Sequence, residues 1–306
     1  MRKDIAMRYL LTGNEAIALA FYINGGQFAS GYPGTPSTEI LENLSKYSNN
    51  IHSEWAPNEK VAVESAIGAS YAGIRSIAVM KHVGVNVAAD PIFTVAYTGI
   101  NAGLIIITAD DPGIHSSQNE QDNRHYAKSA KVPMFEPANS QECFDFVSHA
   151  FKLSEQYQLP VFIRLTTRVC HSKSIVITSK HHSSIHLSID KSSRFDPIPS
   201  ISIKLHESLE HKLLDIANSN SYYCEELTNS QIGIITSGMS YNYVKEVLGN
   251  SVSILKLNLI FPLPINKVKQ FCSKVERIFI LEELDSFIEE SVKALGINCI
   301  GKDYIK

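Results

Sequence analysis

The sequence predicts an α/β protein with a doubly wound parallel sheet, followed by a second, smaller α/β unit. The first observation is an alternation of helical and strand patterns through residues 1–175. The second is the apolar run Leu104–Ala109, which is typical of a strand buried on both faces of a sheet. The third is a new round of alternation that begins at Gln231, after a polar stretch.

The elements of the first unit follow from local signals. Gly25 ends the first helix as a C-cap, Pro36 favours a helical first turn, and Asn58 is a suitable N-cap. In chain order the patterns predict a helix over Ala16–Ile23, a strand over Phe28–Tyr32, a helix over Pro36–Tyr47, a helix from Asn58, a strand over Ser76–His82, a helix over Gly84–Tyr97, the strand Leu104–Ala109, a helix over Ser140–Tyr157 and a strand over Val161–Thr166.

The rest of the chain divides into a linker and a second unit, so the expected boundaries are 1–178, 179–230 and 231–306. The linker is polar, contains a predicted helix over Leu205–Ala217, and carries histidines that we interpret as exposed and not as a metal site. The linker histidines are His181, His182 and His186, and His171 shortly before the linker is interpreted in the same way. The second unit begins with a strand at Gln231 and ends with a helix through Leu295. Its adjacent Glu282 and Glu283 are interpreted as caps or interface groups and not as an acid–base pair.

Composition excludes several classes of protein. The 306 residues carry a formal net charge of -3, so there is no basic field for nucleic acid. No apolar run approaches the roughly 20 residues that span a bilayer, and we expect a cytoplasmic protein. The five cysteines are far apart and form no CxxC pair, which argues against a zinc site or an iron–sulfur cluster in this chain.

The helix that begins near Asn58 carries a stripe of small residues and a carboxylate. Ala62, Ala66, Ala69 and Gly73 recur at helical spacing, and Glu59 lies on the same stripe in the first turn. Such a surface allows close approach of a backbone or a flat ligand. The alternative is that the small residues only permit packing and that the acid only complements the helix dipole.

Three polar loops follow predicted strands directly, namely Tyr32–Ser37, His82–Asn86 and Ala109–Arg124. Because ligands of parallel sheets bind beyond the carboxyl ends of the strands, we expect these loops to converge on one site. The sequence has no GxGxxG after a strand, no Walker loop and no GxSxG elbow, which excludes the common nucleotide and hydrolase motifs.

Several segments together resemble a known family. GYPGTPSTEI, NEKVAVESAIGAS, MKHVGVNVAADP, ADDPGIHSSQNEQDNR, ITSGMSYNYVKE and LEELDSFIEE are similar to the N-terminal half of indolepyruvate-type members of the thiamine-diphosphate-dependent 2-oxoacid:ferredoxin oxidoreductases. The resemblance implies that residues 1–178 form a thiamine-enzyme pyrimidine-binding domain. It also implies that residues 231–306 form a transketolase-C-terminal-like domain.

The resemblance further implies site residues. A glutamate with a glycine nine positions later contacts N1′ of the pyrimidine; both Glu59 with Gly68 and Glu64 with Gly73 fit this spacing, and the NEKVA context selects Glu59 as the catalytic group. The cofactor-binding positions that border the pyrimidine would be Lys81, His82, Val83, Gly84 and Asn86. The substrate positions would be Gly34, Thr35, His115, Arg124 and Lys128, with Gly34 leaving room for an aryl group and the cations meeting the substrate carboxylate.

The sequence departs from the family in having no GDG motif and no clustered cysteines. The chain would therefore hold the pyrimidine half of thiamine diphosphate, while Mg²⁺ and iron–sulfur clusters reside on partner subunits. The expected reaction is oxidative decarboxylation of aryl 2-oxoacids, such as indolepyruvate, to acyl-CoA with ferredoxin as acceptor, in a hetero- or homo-oligomer. Two alternatives remain open: a subunit of a non-oxidative 2-oxoacid decarboxylase, or a non-catalytic remnant or binding paralogue.

Overall fold

A computed structural model of the protein describes residues 7–178, 182, 187–189, 195 and 198–304. Its main sheet, within these residues, has seven strands. From one edge to the other they are Leu259–Phe261 (β12), Met134–Phe135 (β6), Val161–Thr166 (β7), Leu104–Asp110 (β5), Ser76–Lys81 (β4), Phe28–Gly31 (β2) and His52–Trp55 (β3). All pairs are parallel except β12 with β6. Every residue of the central β5 is buried, as its continuous apolar run predicts.

Helices cover both faces of this sheet, which confirms the predicted doubly wound α/β fold. They are Gly13–Ile23 (α1), Thr38–Leu44 (α2), Glu59–Tyr71 (α3), His82–Thr98 (α4), Arg124–Ala130 (α5), Ser140–Tyr157 (α6), Thr167–His171 (α7) and Pro199–Ser219 (α8). Helices α1, α2 and α6 pack together, and so do α3, α4 and α8. The predicted cap of α3 is confirmed, because Asn58 Oδ1 accepts a hydrogen bond from the Val61 amide at 3.0 Å.

A second, four-stranded sheet forms the smaller unit within the described chain. Its strands, in spatial order, are Arg277–Leu281 (β13), Ile232–Ser237 (β10), Ser253–Leu257 (β11) and Tyr223–Glu226 (β9). The helices of this unit are Gly238–Leu248 (α9), Ile265–Cys272 (α10) and Phe287–Lys293 (α11). An antiparallel ribbon of Met7–Thr12 (β1) and Lys173–Thr178 (β8) links the two ends of the first unit.

The two units exchange elements, which corrects the expected boundaries at 179–230 and 231–306. Strand β9 lies in the range expected to be linker, yet it pairs with β11. Strand β12 comes from the range of the second unit, yet it extends the main sheet beside β6. Both are edge strands of three or four residues, too short to show an apolar pattern in the sequence. One continuous hydrophobic core therefore joins the two units.

The histidine-rich tract of the linker is only partly described. His181 and His186 lie outside the described residues. His182 stacks on Tyr22, with ring centroids 4.4 Å apart, and its Nδ1 lies 2.7 Å from the Tyr22 carbonyl oxygen. Among the helices of the described ranges, none has both the length and the apolar character that crossing a membrane requires.

Candidate functional site

The three loops predicted to converge do so at the carboxyl edge of the main sheet. They follow β2, β4 and β5, which are neighbours in the sheet and run parallel. Together they enclose a cleft of about 540 Å³. Its walls come from all three loops: Pro33, Gly34, Lys81, Val83, Ile114, His115, Ser116, Ser117 and Gln118. Sequence spacing alone thus located the cleft correctly.

Glu59 is the first residue of α3, and its side chain is buried beside the start of α4. The residue is 9% exposed, and its carboxylate makes no hydrogen bond or ion pair with any residue in the described ranges. A Cβ placed on Gly84 would stand 2.6 Å from both Cγ and Oε1 of Glu59. Any side chain at position 84 would displace the Glu59 carboxylate. The position of this carboxylate therefore requires glycine at position 84.

Glu64, the second glutamate with the required spacing, has a different environment. Its side chain is 49% exposed and lies 3.9 Å from the ammonium of Lys60 on the solvent side of α3. Gly68 faces open space on the same helix. A solvated ion pair is the ordinary role of such a residue, so the geometry favours Glu59 as the functional carboxylate.

The other positions expected to border the cofactor separate into two groups. Lys81 and Val83 line the cleft, and the Lys81 ammonium donates a hydrogen bond to the Ser116 carbonyl at 2.5 Å. His82 is fully buried with Nε2 3.2 Å from the Asn119 carbonyl oxygen, while its Nδ1 has no partner among the described residues. Asn86 lies on the exposed side of α4 and accepts a hydrogen bond from the hydroxyl of Tyr126.

Among the expected substrate residues, Gly34 and His115 line the cleft. Thr35 is exposed and follows Gly34 directly. The turn is held at its base because the Gly34 amide donates to Thr38 Oγ1 at 2.9 Å. A Cβ on Gly34 would lie 2.9 Å from Cβ of Lys81, so the absence of a side chain lets this turn lie close against the end of β4.

The expected role of Arg124 is wrong, because its guanidinium is not available to a substrate. Arg124 is fully buried. Its guanidinium donates hydrogen bonds to Asp122 and, at 2.5 Å, to Glu282, which belongs to the second unit. Lys128 is exposed on the same helix, with Nζ 5.7 Å from the ring centroid of Phe287. Both cations therefore stand at the junction between the two units, outside the cleft.

Glu282 also accepts backbone hydrogen bonds at the start of α11, so the interpretation of Glu282 as a cap and interface group is confirmed.

A buried ionic network between the units escaped the sequence analysis. Arg164 in β7 is fully buried and donates to Asp110 at 2.6 Å and to Glu136. Glu136 in turn accepts from Ser237 at the start of α9, which ties the first unit to the second. Burial raises the pKa of Asp110, against the opposing attraction of Arg164. An arginine inside the apolar run VFIRLT was the available signal, because a charge in a strand buried on both faces needs carboxylate partners.

Asp111 organises the longest of the three loops. It is 1% exposed, and its carboxylate accepts hydrogen bonds from the Ser116 amide at 2.8 Å, Ser117 Oγ at 2.5 Å and Thr167 Oγ1 at 2.7 Å. Although burial alone raises its pKa, these hydrogen bonds lower the pKa of Asp111 to about 2. The group is therefore a permanent anion that holds the loop.

One cluster of potential metal ligands occurs in the described part of the chain, formed by Asp122, His125 and Asp285. The Asp122 carboxylate already accepts several hydrogen bonds from Arg124, and Arg124 and Arg164 lower its pKa although burial raises it. His125 and Asp285 form an exposed pair at 2.9 Å. The donor set thus serves the arginine and not a metal ion.

Comparison with known proteins identifies the family. The family model described as pyruvate flavodoxin/ferredoxin oxidoreductase, thiamine diphosphate-binding, matches residues 20–210. The indolepyruvate oxidoreductase subunit IorA of Methanothermobacter marburgensis is 42% identical over 302 residues, which is 94% of this chain and 49% of that protein. The corresponding subunit of Archaeoglobus fulgidus is 41% identical, over 95% of this chain and 49% of that protein. The chain spans about half the length of these curated relatives.

A solved structure shares the fold. A 2-oxoglutarate:ferredoxin oxidoreductase from Magnetococcus marinus, with 2-oxoglutarate, coenzyme A and succinyl-CoA bound, aligns with a TM-score of 0.82 at 16% identity. The alignment covers 96% of this chain and 62% of that one. The expected resemblance and fold are thereby confirmed. The chain belongs to the thiamine-diphosphate-binding family of pyruvate flavodoxin/ferredoxin oxidoreductases.

Proposed function

We propose that this chain supplies the pyrimidine-binding side of a thiamine diphosphate site in a 2-oxoacid:ferredoxin oxidoreductase. The observation that carries the proposal is Glu59, a largely buried residue whose carboxylate has no partner in the described chain and packs against Gly84, which follows the cleft-lining Val83. Because no group of the described chain uses this carboxylate, it is available to hydrogen-bond a ligand.

The residues present fit the pyrimidine half of the cofactor. Glu59 would accept a hydrogen bond from N1′, and Gly84 leaves room for that carboxylate. The orphaned Nδ1 of His82 is a second buried polar atom at the same end of α4. When bound, thiamine diphosphate supplies the electron sink for decarboxylation of a 2-oxoacid. The contribution of Glu59 is to hold a proton-accepting form of the pyrimidine in place.

The cleft beside Glu59 fits an aryl 2-oxoacid, such as indolepyruvate. Gly34 opens one wall, and the cations that line the cleft are those of Lys81 and, when protonated, His115. With Arg124 buried in the junction, Lys81 takes its place as the partner of the substrate carboxylate, beside Thr35. Curated relatives of 41% and 42% identity carry the name indolepyruvate oxidoreductase subunit IorA, which supports the aryl class.

The remaining parts of the active site would come from partner chains. Iron–sulfur clusters need grouped cysteine thiolates, whereas the five cysteines here are Cys143, Cys170, Cys224, Cys272 and Cys299, and all are free. Mg²⁺ and the diphosphate need grouped oxygen ligands. We therefore assign the diphosphate, Mg²⁺, iron–sulfur and ferredoxin-docking functions to diphosphate-binding and β- or γ-type subunits.

The proposed function is tested by assembling the chain with the product of a neighbouring reading frame that carries a GDG motif and clustered cysteines. The complex should reduce ferredoxin when it receives an aryl 2-oxoacid and coenzyme A, and should form the acyl-CoA. Carbon dioxide release without coenzyme A or ferredoxin would instead identify a non-oxidative decarboxylase. A complex that forms but consumes no 2-oxoacid would identify a non-catalytic paralogue.

We expect the isolated chain to bind thiamine diphosphate weakly. Much of the binding energy comes from the diphosphate and its metal, which need ligands grouped around Mg²⁺. Isothermal titration of the purified chain with thiamine diphosphate and Mg²⁺ should show no micromolar binding, whereas the assembled complex should show it. Micromolar binding by the chain alone would contradict the assignment of the diphosphate site to a partner.

Gly34→Ile should change substrate selectivity. The new side chain would press on Lys81 and narrow the cleft, so kcat/KM for indolepyruvate should fall about 10- to 200-fold more than for pyruvate, the range that misfit in an apolar pocket costs. Gly34 does not have a positive φ, so the backbone tolerates the substitution. Gly34→Ala is the matched smaller step and should give an intermediate shift. Equal losses for both substrates would show that position 34 does not shape the substrate pocket.

A further inference from the structure

The loop after β5 contains a turn in a strained backbone conformation. Gly113 and Ile114 both have positive φ, +85° and +54°, and the Ile114 amide donates to the Asp111 carbonyl at 3.0 Å. Glycine adopts this region freely, but a β-branched residue such as isoleucine is an outlier there. Such a conformation persists only where neighbouring groups hold it, and it occurs most often at functional sites.

The groups that hold the turn meet at the carboxylate of Asp111. One oxygen accepts from the Ser116 amide and from Ser117 Oγ, so it ties the far end of the turn to its beginning. The other oxygen accepts from Thr167 Oγ1 at the start of α7, so the turn is fixed to the rigid edge of the sheet. Glu120 adds an outer contact by accepting from the Gly113 amide at 2.7 Å.

The turn held in this way forms one wall of the cleft. Ile114 lines the cleft together with Pro33 and Gly34, and nearly half of its surface (47%) is exposed. Ser116 offers its carbonyl to the Lys81 ammonium, which joins this wall to the start of α4. The strained conformation therefore presents an apolar side chain where the side chain of a substrate would lie.

We propose that Asp111 is a positioning residue that sets the selectivity of the cleft by holding Ile114 against the side chain of the 2-oxoacid. The inference rests on the proposed function for the identity of the substrate. Asp111 itself is buried beneath the turn and touches no substrate. Loss of its hydrogen bonds should release the turn, move Ile114 and leave the position of Glu59 unchanged.

The experiment compares Asp111→Ala with the parent chain in the assembled complex. KM for phenylpyruvate and indolepyruvate should rise about tenfold, the low end of what a lost apolar contact costs. KM for pyruvate should rise by a smaller factor, because pyruvate lacks a side chain that reaches Ile114 and is affected only through the contact of Ser116 with Lys81. Asp111→Asn keeps one acceptor oxygen and should recover part of the selectivity.

Two further variants keep the test independent of folding. Thr167→Val removes only the tie to α7, leaves the lining of the cleft intact, and should raise KM for aryl substrates by a smaller factor in the same direction. Asp215→Ala removes one exposed carboxylate on α8 and should change nothing. Equal changes for pyruvate and aryl substrates, or no change in any of them, would overturn the proposal.

Hydrogen exchange separates this inference from the proposed function. In Asp111→Ala, the amides of residues 113–117 should exchange faster than in the parent chain, while those of α3 should not change. Unchanged exchange in the turn would overturn the positioning role even if the complex is active. If the parent complex consumes no 2-oxoacid but the turn loosens as expected, the proposed function fails and the anchoring by Asp111 stands.

Discussion

Replacement of Glu59 by glutamine should lower turnover of the assembled complex about 10²- to 10⁴-fold, the usual contribution of a positioned acid–base group. The residue is 9% exposed and its carboxylate has no partner in the described ranges, so the carboxylate is available to a bound pyrimidine. Glutamine has nearly the same shape and fits against Gly84. Removing the carboxylate from the first turn of α3 should cost only about 0.3–1 kcal/mol of stability. Steady-state kinetics together with a thermal unfolding curve measure both effects.

Glu64→Gln is the matched control for this prediction. Glu64 lies on the same helix, five positions later, with its side chain 49% exposed and an ion pair to Lys60. Its replacement should leave turnover within about twofold, because exposed ion pairs contribute little. Undiminished activity of Glu59→Gln would remove Glu59 from the site. Loss of activity in Glu64→Gln alone would transfer the role to Glu64.

The second large effect concerns stability. Arg164→Met should reduce the free energy of unfolding by about 3–5 kcal/mol, because it leaves buried carboxylates without their cation. Asp110 and Glu136 both depend on Arg164, and Glu136 connects to the second unit through Ser237. Denaturant unfolding, followed by circular dichroism, measures the loss. Arg168→Met, at an exposed arginine over the ring of Tyr243, should cost less than about 1 kcal/mol.

The stability loss of Arg164→Met should depend on pH, and it should become smaller as the pH falls. Burial already raises the pKa of Asp110 in the parent chain, and removal of Arg164 takes away the attraction that opposes the rise. A carboxyl whose pKa is higher in the folded than in the unfolded state binds more protons when folded, so stability increases as the pH falls. The variant should therefore recover part of its lost stability between pH 8 and pH 5. A loss of stability that is the same at both pH values would show that Asp110 is not the affected group.

Periodicity and cap signals predicted most of the first unit, because long buried elements leave a strong local pattern. Helix α6 has the bounds expected, Ser140–Tyr157, and strand β7 those of Val161–Thr166. Short edge strands such as β9 and β12 were missed, since three or four residues carry too little pattern and their pairing partners are distant in sequence. The exchange of these strands between the two units is a property of tertiary packing.

For the site, too, short sequence segments predicted some features, and contacts between residues distant in sequence decided others. The sequence by itself determined that three loops meet at the carboxyl edge of a parallel sheet, because the α/β alternation predicts parallel strands whose carboxyl ends share one edge. It also determined the family, through motifs confined to short segments. Spacing alone left Glu59 and Glu64 equal; the NEKVA context of the resemblance selected Glu59, and the burial of the two residues favours the same choice.

The tertiary structure alone decided which charges are free to act. Lys81 ends β4 and Arg124 ends the loop that follows β5, so both lie near the carboxyl edge in sequence and no local pattern separates them. Arg124 is occupied by Glu282, which lies 158 positions along the chain, whereas Lys81 lines the cleft. The strain at Ile114 and the anchoring by Asp111 likewise depend on Thr167, 56 positions away from the aspartate. Whether an ionised group is available depends on its burial and its partners, and these are fixed only when the chain has folded.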